Sequence, residues 1–217
     1  MLKLHGLRSS TVAATTPIFY PDKDSTTYLT FLQAVESLFR RSSHLKLSDG
    51  DVEELLAMSL VASQVESLHT EEDISEPHDV LGLFKAFNDY LGGHEYAPRY
   101  LDGGSRYAPL LPHIHSKERT ERCSTIMASR YRDILDFRCD RWRFLVTNSG
   151  QPGLAPACTE PGDIIAILYG SSYPVVLRPN GPYFQLIGLC YVHGIMHGEA
   201  VRAHKAAGKP DEIFLLR

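Results

Sequence analysis

The stretch that decides the fold is residues 161–200, PGDIIAILYGSSYPVVLRPNGPYFQLIGLCYVHGIMHGEA. It contains three runs rich in apolar residues, at positions 164–169, 175–178 and 183–192. The prolines lie between these runs, where a strand tolerates a missing N–H group. The segments that separate them, 170–174 and 179–182, carry the glycine, serine, asparagine and proline typical of turns. The pattern therefore predicts a small antiparallel meander of three strands.

Working outward, apolar residues recur at helical spacing in several upstream segments. They predict one helix after Ser25, a second from Ser48 or Asp49, and a third at residues 79–91, and the charge-rich segment 117–137 is also expected to be helical. Residues 142–147 indicate a strand followed by a turn at 148–150. A strand or hairpin broken at Gly6 is expected at the start of the chain. At the end of the chain we expect a helix over 200–207 and a last strand over 213–216.

Strand, then helices, then many strands is the order typical of α+β proteins. We expect a small, bent antiparallel sheet or partial β-barrel, with a helical insertion between its first strand and the C-terminal strands. Residues 1–217 would form one domain, made of a first strand segment (1–15), a mainly helical insertion (25–137) and a β-rich region (141–217). If the terminal strands close the sheet, Leu4 and Phe214 should lie on the same side of the molecule.

Composition limits the possible functions. Hydrophobic residues make up 43% of the 217 residues and charged residues 22%, as in ordinary globular domains. A net charge of −4 gives no reason to expect nucleic acid or an anionic membrane as a partner. The start of the chain lacks the apolar core of a signal peptide, and no run is long enough for a transmembrane helix. Four widely spaced cysteines predict reduced thiols, so a cytoplasmic location is expected.

The histidine-rich end of the opening stretch is the first candidate for catalysis. His193, His197 and Glu199, together with Asp163 in the turn before the first run, supply groups for acid–base chemistry. The four-residue spacing of the histidines also occurs in helical metal sites, but Gly194 and Gly198 argue against a regular helix, and no metal is expected. A structural turn, in which the glycines adopt positive φ, explains the same pattern.

A second set of side chains is suited to holding a ligand. Arg178 could clamp an anion, or pair internally with Asp163 or Glu199. Trp142 and Tyr191 could line an apolar cavity, and Cys190 could act as a thiol activated by the nearby histidine or lie buried in the core. His113 and His115 could add further metal ligands. Because no glycine-rich phosphate motif and no GxSxG elbow occurs, no cofactor is predicted.

Several short motifs in the C-terminal third occur in an order that resembles a known family. They are RFLVT at 143–147, GLAP at 153–156, EPGD at 160–163, VVLRP at 175–179, YVHGIM at 191–196 and GEA at 198–200. The stretch resembles the C-terminal region of fungal heterokaryon-incompatibility (HET) proteins. Residues 2–7 and 11–13 resemble, more weakly, the segment that follows the HET domain in larger members. Nothing in the chain resembles the HET domain itself, and His197 stands where the resemblance implies an acidic residue.

Two hypotheses of different classes follow. The resemblance implies a stand-alone HET-related protein without the effector domain, which acts as a recognition or regulatory module with self/non-self incompatibility as a candidate setting. The alternative is a cofactor-independent enzyme of fungal secondary metabolism, a cyclase, isomerase or lyase, that uses the acid–base residues around the histidine turn. The partner would be another protein in the first case and an apolar small molecule in the second. An exposed apolar patch favours the first, and an enclosed pocket at His193 favours the second.

Overall fold

The structure is a computed structural model that describes residues 1–22, 25–61, 80–91 and 116–217. The described residues form five helices and eight strands. The helices are α1 (Ser25–Ser42), α2 (Asp49–Leu60), α3 (Val80–Leu91), α4 (Ser116–Cys139) and α5 (Glu199–Ala206). The strands are β1 (Leu2–Thr15), β2 (Trp142–Thr147), β3 (Pro152–Pro156), β4 (Ile164–Leu168), β5 (Val175–Asn180), β6 (Tyr183–Leu189), β7 (Tyr191–Val192) and β8 (Glu212–Leu216).

The long first strand organises the sheet, because it pairs with three other strands in turn. Its start pairs with β8, its middle with β4 and its end with β2, all antiparallel. Leu4 is the direct partner of Phe214, so the predicted pairing of the terminal strands is confirmed. β4, β5, β6, β8 and β1 form a ring, and β2, β3 and β7 continue the sheet beyond it. The ring is not a regular barrel, since β6 and β8 meet in a single parallel bridge at Phe184 and Leu216.

Three details of the predicted strands were wrong. Gly6 does not break β1 but lies within it, where an added Cβ would come 2.3 Å from the carbonyl oxygen of Ile167. The third run of the meander is two strands, β6 and β7, separated at Cys190, and β7 pairs with β3 instead of β5. β3 itself was not predicted, because a five-residue segment with proline at both ends has little local strand signal.

The helices lie between β1 and β2 in the chain, except for α5, and confirm the predicted insertion. α2 begins where the sequence predicts, since the Ser48 hydroxyl accepts from the N–H of Asp51 and the Asp51 carboxylate accepts from the N–H of Ser48. α1 and α4 are joined by the Tyr28 hydroxyl, which donates to a carboxylate oxygen of Asp136 at 2.8 Å. The predicted α+β class, a bent sheet with a helical insertion, is therefore confirmed.

Alternating residues of the strands separate three apolar clusters. The first joins the helices to one face of β2 and β3, through Phe144 and Leu154. The second lies on the opposite face, where Leu145 and Ala155 meet residues of β4, β5 and β7. The third lies on the far face of β4 and β5 and is covered by Phe214 of β8. Since β4 and β5 are buried on both faces, their runs are apolar without the usual alternation.

Candidate functional site

Asp163 and Arg178 form the most buried ion pair in the described part of the chain. Asp163 precedes β4, and its side chain is 3% exposed. Arg178 on β5 donates from Nε to Oδ1 and from one Nη to Oδ2, both at 2.9 Å, and its pKa is raised by this contact. The same carboxylate accepts the N–H of Glu160, and Arg178 also donates to the carbonyl of Cys158. Of the two roles open to Arg178, the structure therefore has the internal pair with Asp163.

The turn after β7 holds His193 between main-chain and side-chain contacts. Its N–H donates to the carbonyl of Pro152, and its own carbonyl accepts from the amide of Gln151. Its Nδ1 lies 3.2 Å from the Tyr191 hydroxyl. Burial lowers the pKa of His193, an effect that the charge of Glu199 partly offsets. The imidazole is therefore neutral at pH 7, with Nδ1 able to accept from the tyrosine.

His197 and Glu199 are close in the chain, but their side chains do not form a hydrogen bond with each other. His197 is exposed, and the Glu199 carboxylate accepts its main-chain N–H at 2.7 Å instead of contacting the imidazole. Hydrogen bonds from the main-chain N–H groups of Glu199 and His197 lower the pKa of Glu199. Gly194 and Gly198 have φ of +83° and +81°, as the structural explanation of the turn requires.

The remaining predicted ligand-binding residues lie on opposite sides of β7. Tyr191 and Trp142 belong to the cluster beneath the helices, the first buried and the second partly buried. Cys190 faces the second cluster, and burial raises the pKa of its thiol well above the ordinary range. A neutral, buried thiol is a poor nucleophile. Of the two alternatives for Cys190, an activated thiol or a buried core residue, its environment fits the core residue. The ligand-binding roles of these residues remain predictions.

The predicted residues thus separate into an ion pair and a histidine turn. Asp163 and Arg178 are held by each other, and among the described residues no hydrogen bond or ion pair joins them to His193, His197 or Glu199. Within the same residues, no three His, Cys, Asp or Glu side chains lie close enough to hold a metal ion. His113 and His115 fall outside the described residues. Within the histidine turn, the imidazole of His193 has its pKa lowered by burial and can act as a general base.

Sequence reasoning missed an apolar surface on β6. Leu186 and Leu189 are 50% and 51% exposed, although their direct partners on β5, Leu177 and Val175, are buried in the third cluster. Direct partners point to the same face of a sheet, so the two leucines extend that cluster into solvent. We call Leu186 and Leu189 the β6 apolar face. One sequence signal could have indicated it: residues 179–192 contain no Asp, Glu, Lys, Arg or His.

A cleft between α1, α2 and α3 was also not predicted. It has a volume of about 420 Å³. Its floor is apolar and includes Leu32, Leu56 and Phe84, and its rim carries charged residues. None of the predicted site residues lines it, so it belongs to a different part of the molecule from the histidine turn.

Among the residues that the structure describes, no helix combines the length and the apolar character needed to cross a membrane.

Comparison with known proteins supports the resemblance seen in the sequence. The family model of the Het-6 beta-barrel domain matches residues 80–215, from the start of α3 to the last residue but one of β8. The match therefore reaches well beyond the C-terminal third in which the motifs lie. Searches of the curated proteins and of the solved structures found no significant match. Because the family model covers more than half of the chain, the chain belongs to the Het-6 beta-barrel domain family.

Proposed function

We propose that this member of the Het-6 barrel family is a recognition or regulatory module, and that it binds another protein through the β6 apolar face. Its relationship to HET proteins suggests self/non-self incompatibility as the setting. The observation that carries the proposal is the half exposure of Leu186 and Leu189 beside a fully buried layer. Exposed apolar surface of this kind marks interaction sites more often than isolated apolar residues do.

The chemistry of the β6 apolar face defines the partner. Since residues 179–192 carry no Asp, Glu, Lys, Arg or His, the complementary surface should be apolar and uncharged at its centre. Complete burial of two half-exposed leucines contributes about 1 kcal/mol each, or roughly thirtyfold in Kd for the pair. Binding should also change little with salt, because the contact contains no charge pair to screen.

The test is partner recovery with the tagged full chain in the cells that produce it. The double substitution Leu186→Ser/Leu189→Ser should lose the partner while the circular dichroism spectrum and Tm stay close to wild type. Ile213→Ser is the matched control, because Ile213 is 47% exposed on β8, away from this face. Equal recovery of the partner by both variants would refute the proposal.

The enzyme is the second candidate function, and the contact between Tyr191 and His193 favours it. A half-buried imidazole with a lowered pKa beside a hydroxyl could supply the acid–base pair that a cyclase, isomerase or lyase without a cofactor needs. The comparison is between wild type and His193→Asn, incubated with a metabolite extract of the source cells and followed by mass spectrometry. Consumption of a metabolite by wild type alone would support the enzyme, and identical profiles would remove it.

A further inference from the structure

The cleft between α1, α2 and α3 has a floor and a rim of different chemistry. Its floor is formed by buried or half-buried apolar side chains, which include Leu32 from α1, Leu56 from α2 and Phe84 from α3. A volume of about 420 Å³ falls within the range of small-molecule sites. The floor alone would accept any apolar group of suitable size, so the rim must decide which ligand enters.

The charged side chains that line the cleft have an acidic excess. Three of them are carboxylates, from Glu36, Asp49 and Glu53, and one is the guanidinium of Arg40. Arg40 donates to both Glu36 and Asp49 at 2.8 Å, so its single positive charge is shared between two negative ones. Glu53 lies 3.5 Å from the ammonium of Lys85, which forms a separate pair. The cluster of Glu36, Arg40 and Asp49 therefore keeps one net negative charge at the mouth.

The N-terminus of α2 does not reverse this charge. Helix N-termini attract anions through free N–H groups, but here the Ser48 hydroxyl and the Asp51 carboxylate form a capping box. Asp49 and Asp51 add negative charge in the same turn. An anionic ligand would meet carboxylates at the rim and gain little from the helix end.

We infer that this cleft is a binding site for a small molecule with an apolar body and a cationic group. The body lies on the floor between Leu32, Leu56 and Phe84, and the cation lies at the rim beside Glu36 and Asp49. The site is separate from the β6 apolar face and from the histidine turn, so it provides the module with a place for a regulatory ligand. Its failure would leave the proposed protein-binding function untouched.

Two probes of similar size and opposite charge test the inference. The full chain is titrated with 1-naphthylmethylammonium and with 1-naphthoate, and binding is measured by calorimetry and ligand-observed NMR. The cation should bind several times more tightly than the anion. Failure of the cation to bind, or equal binding of both probes, would overturn the inference.

Variants then place the probe in the cleft. Gln33→Trp puts a large side chain at an exposed lining position and should abolish binding of the cation. Thr30→Trp is the matched control, because Thr30 is exposed on the same helix but does not line the cleft, and it should bind like wild type. Glu36→Gln/Asp49→Asn removes the acidic excess and should weaken the cation by about fivefold for each charge lost near it, while the anion gains. Unchanged affinity in both Gln33→Trp and the double variant would contradict the assignment.

Discussion

Replacing Arg178 with alanine tests whether the pair with Asp163 supports the fold. The substitution leaves the Asp163 carboxylate, 3% exposed, with the N–H of Glu160 as its remaining recorded donor. Removal of one partner from a buried ion pair costs about 3–5 kcal/mol, and we take about 3 kcal/mol because Arg178 is 28% exposed. For a chain of this size, that loss lowers Tm by roughly 6–12 °C.

The assay is urea unfolding followed by circular dichroism, with the midpoint and the m value fitted separately. Arg8→Ala is the matched control, because Arg8 pairs with Glu212 at 3.2 Å with both side chains more than 40% exposed, and its loss should cost less than about 1 kcal/mol. Asp163→Asn should cost much less in the Arg178→Ala background than in wild type, since the two residues act together. If Arg178→Ala cost no more than Arg8→Ala, the structural role of the pair would be refuted.

Three further predictions concern other parts of the molecule. Because burial lowers the pKa of His193, the unfolded chain takes up a proton at higher pH than the folded chain does. The contribution of His193 to stability should therefore be complete above pH 6.5 and decline as the pH falls below that value. His193→Asn should remove this decline, which is measured from urea midpoints across about pH 5–7.5. In the native protein, iodoacetamide should label the exposed Cys158 and spare the buried Cys190, measured by peptide mass spectrometry; equal labelling would contradict the described burial. Gly6→Ala should cost about 2–4 kcal/mol of unfolding free energy, because its Cβ would come 2.3 Å from the carbonyl of Ile167; a neutral effect would show that β1 and β4 are not so closely paired.

Local signals predicted the elements that are long or strongly patterned. The helices α1 to α3 were predicted because apolar residues recur at helical spacing. The predicted start of α2, at Ser48 or Asp49, is the position where the structure has a capping box between Ser48 and Asp51. The hypothesis that the terminal strands pair came from strand signals at both ends of the chain, and the structure confirms it with Leu4 opposite Phe214. The match of residues 80–215 to the Het-6 barrel confirms the family that the C-terminal motifs indicated.

The remaining features depend on tertiary contacts that local sequence does not encode. β3 is a strand because β2 and β7 pair with its two edges, although the prolines at its ends disfavour strand formation. The break at Cys190 lies where the chain passes from β6, which pairs with β5, to β7, which pairs with β3. The partner of Arg178 and the exposure of Leu186 both depend on where neighbouring strands end, which no residue pattern specifies.

Site-specific photo-crosslinking tests the central claim, that the β6 apolar face binds another protein, most directly. p-Benzoylphenylalanine is placed at Leu189, with Ile213 as the control position of similar exposure, and the full chain is irradiated in the cells that produce it. The account predicts a discrete crosslinked protein from position 189 that is absent from position 213 and is lost when Leu186→Ser is added. The absence of any crosslink at 189, or the same products from both positions, would contradict it.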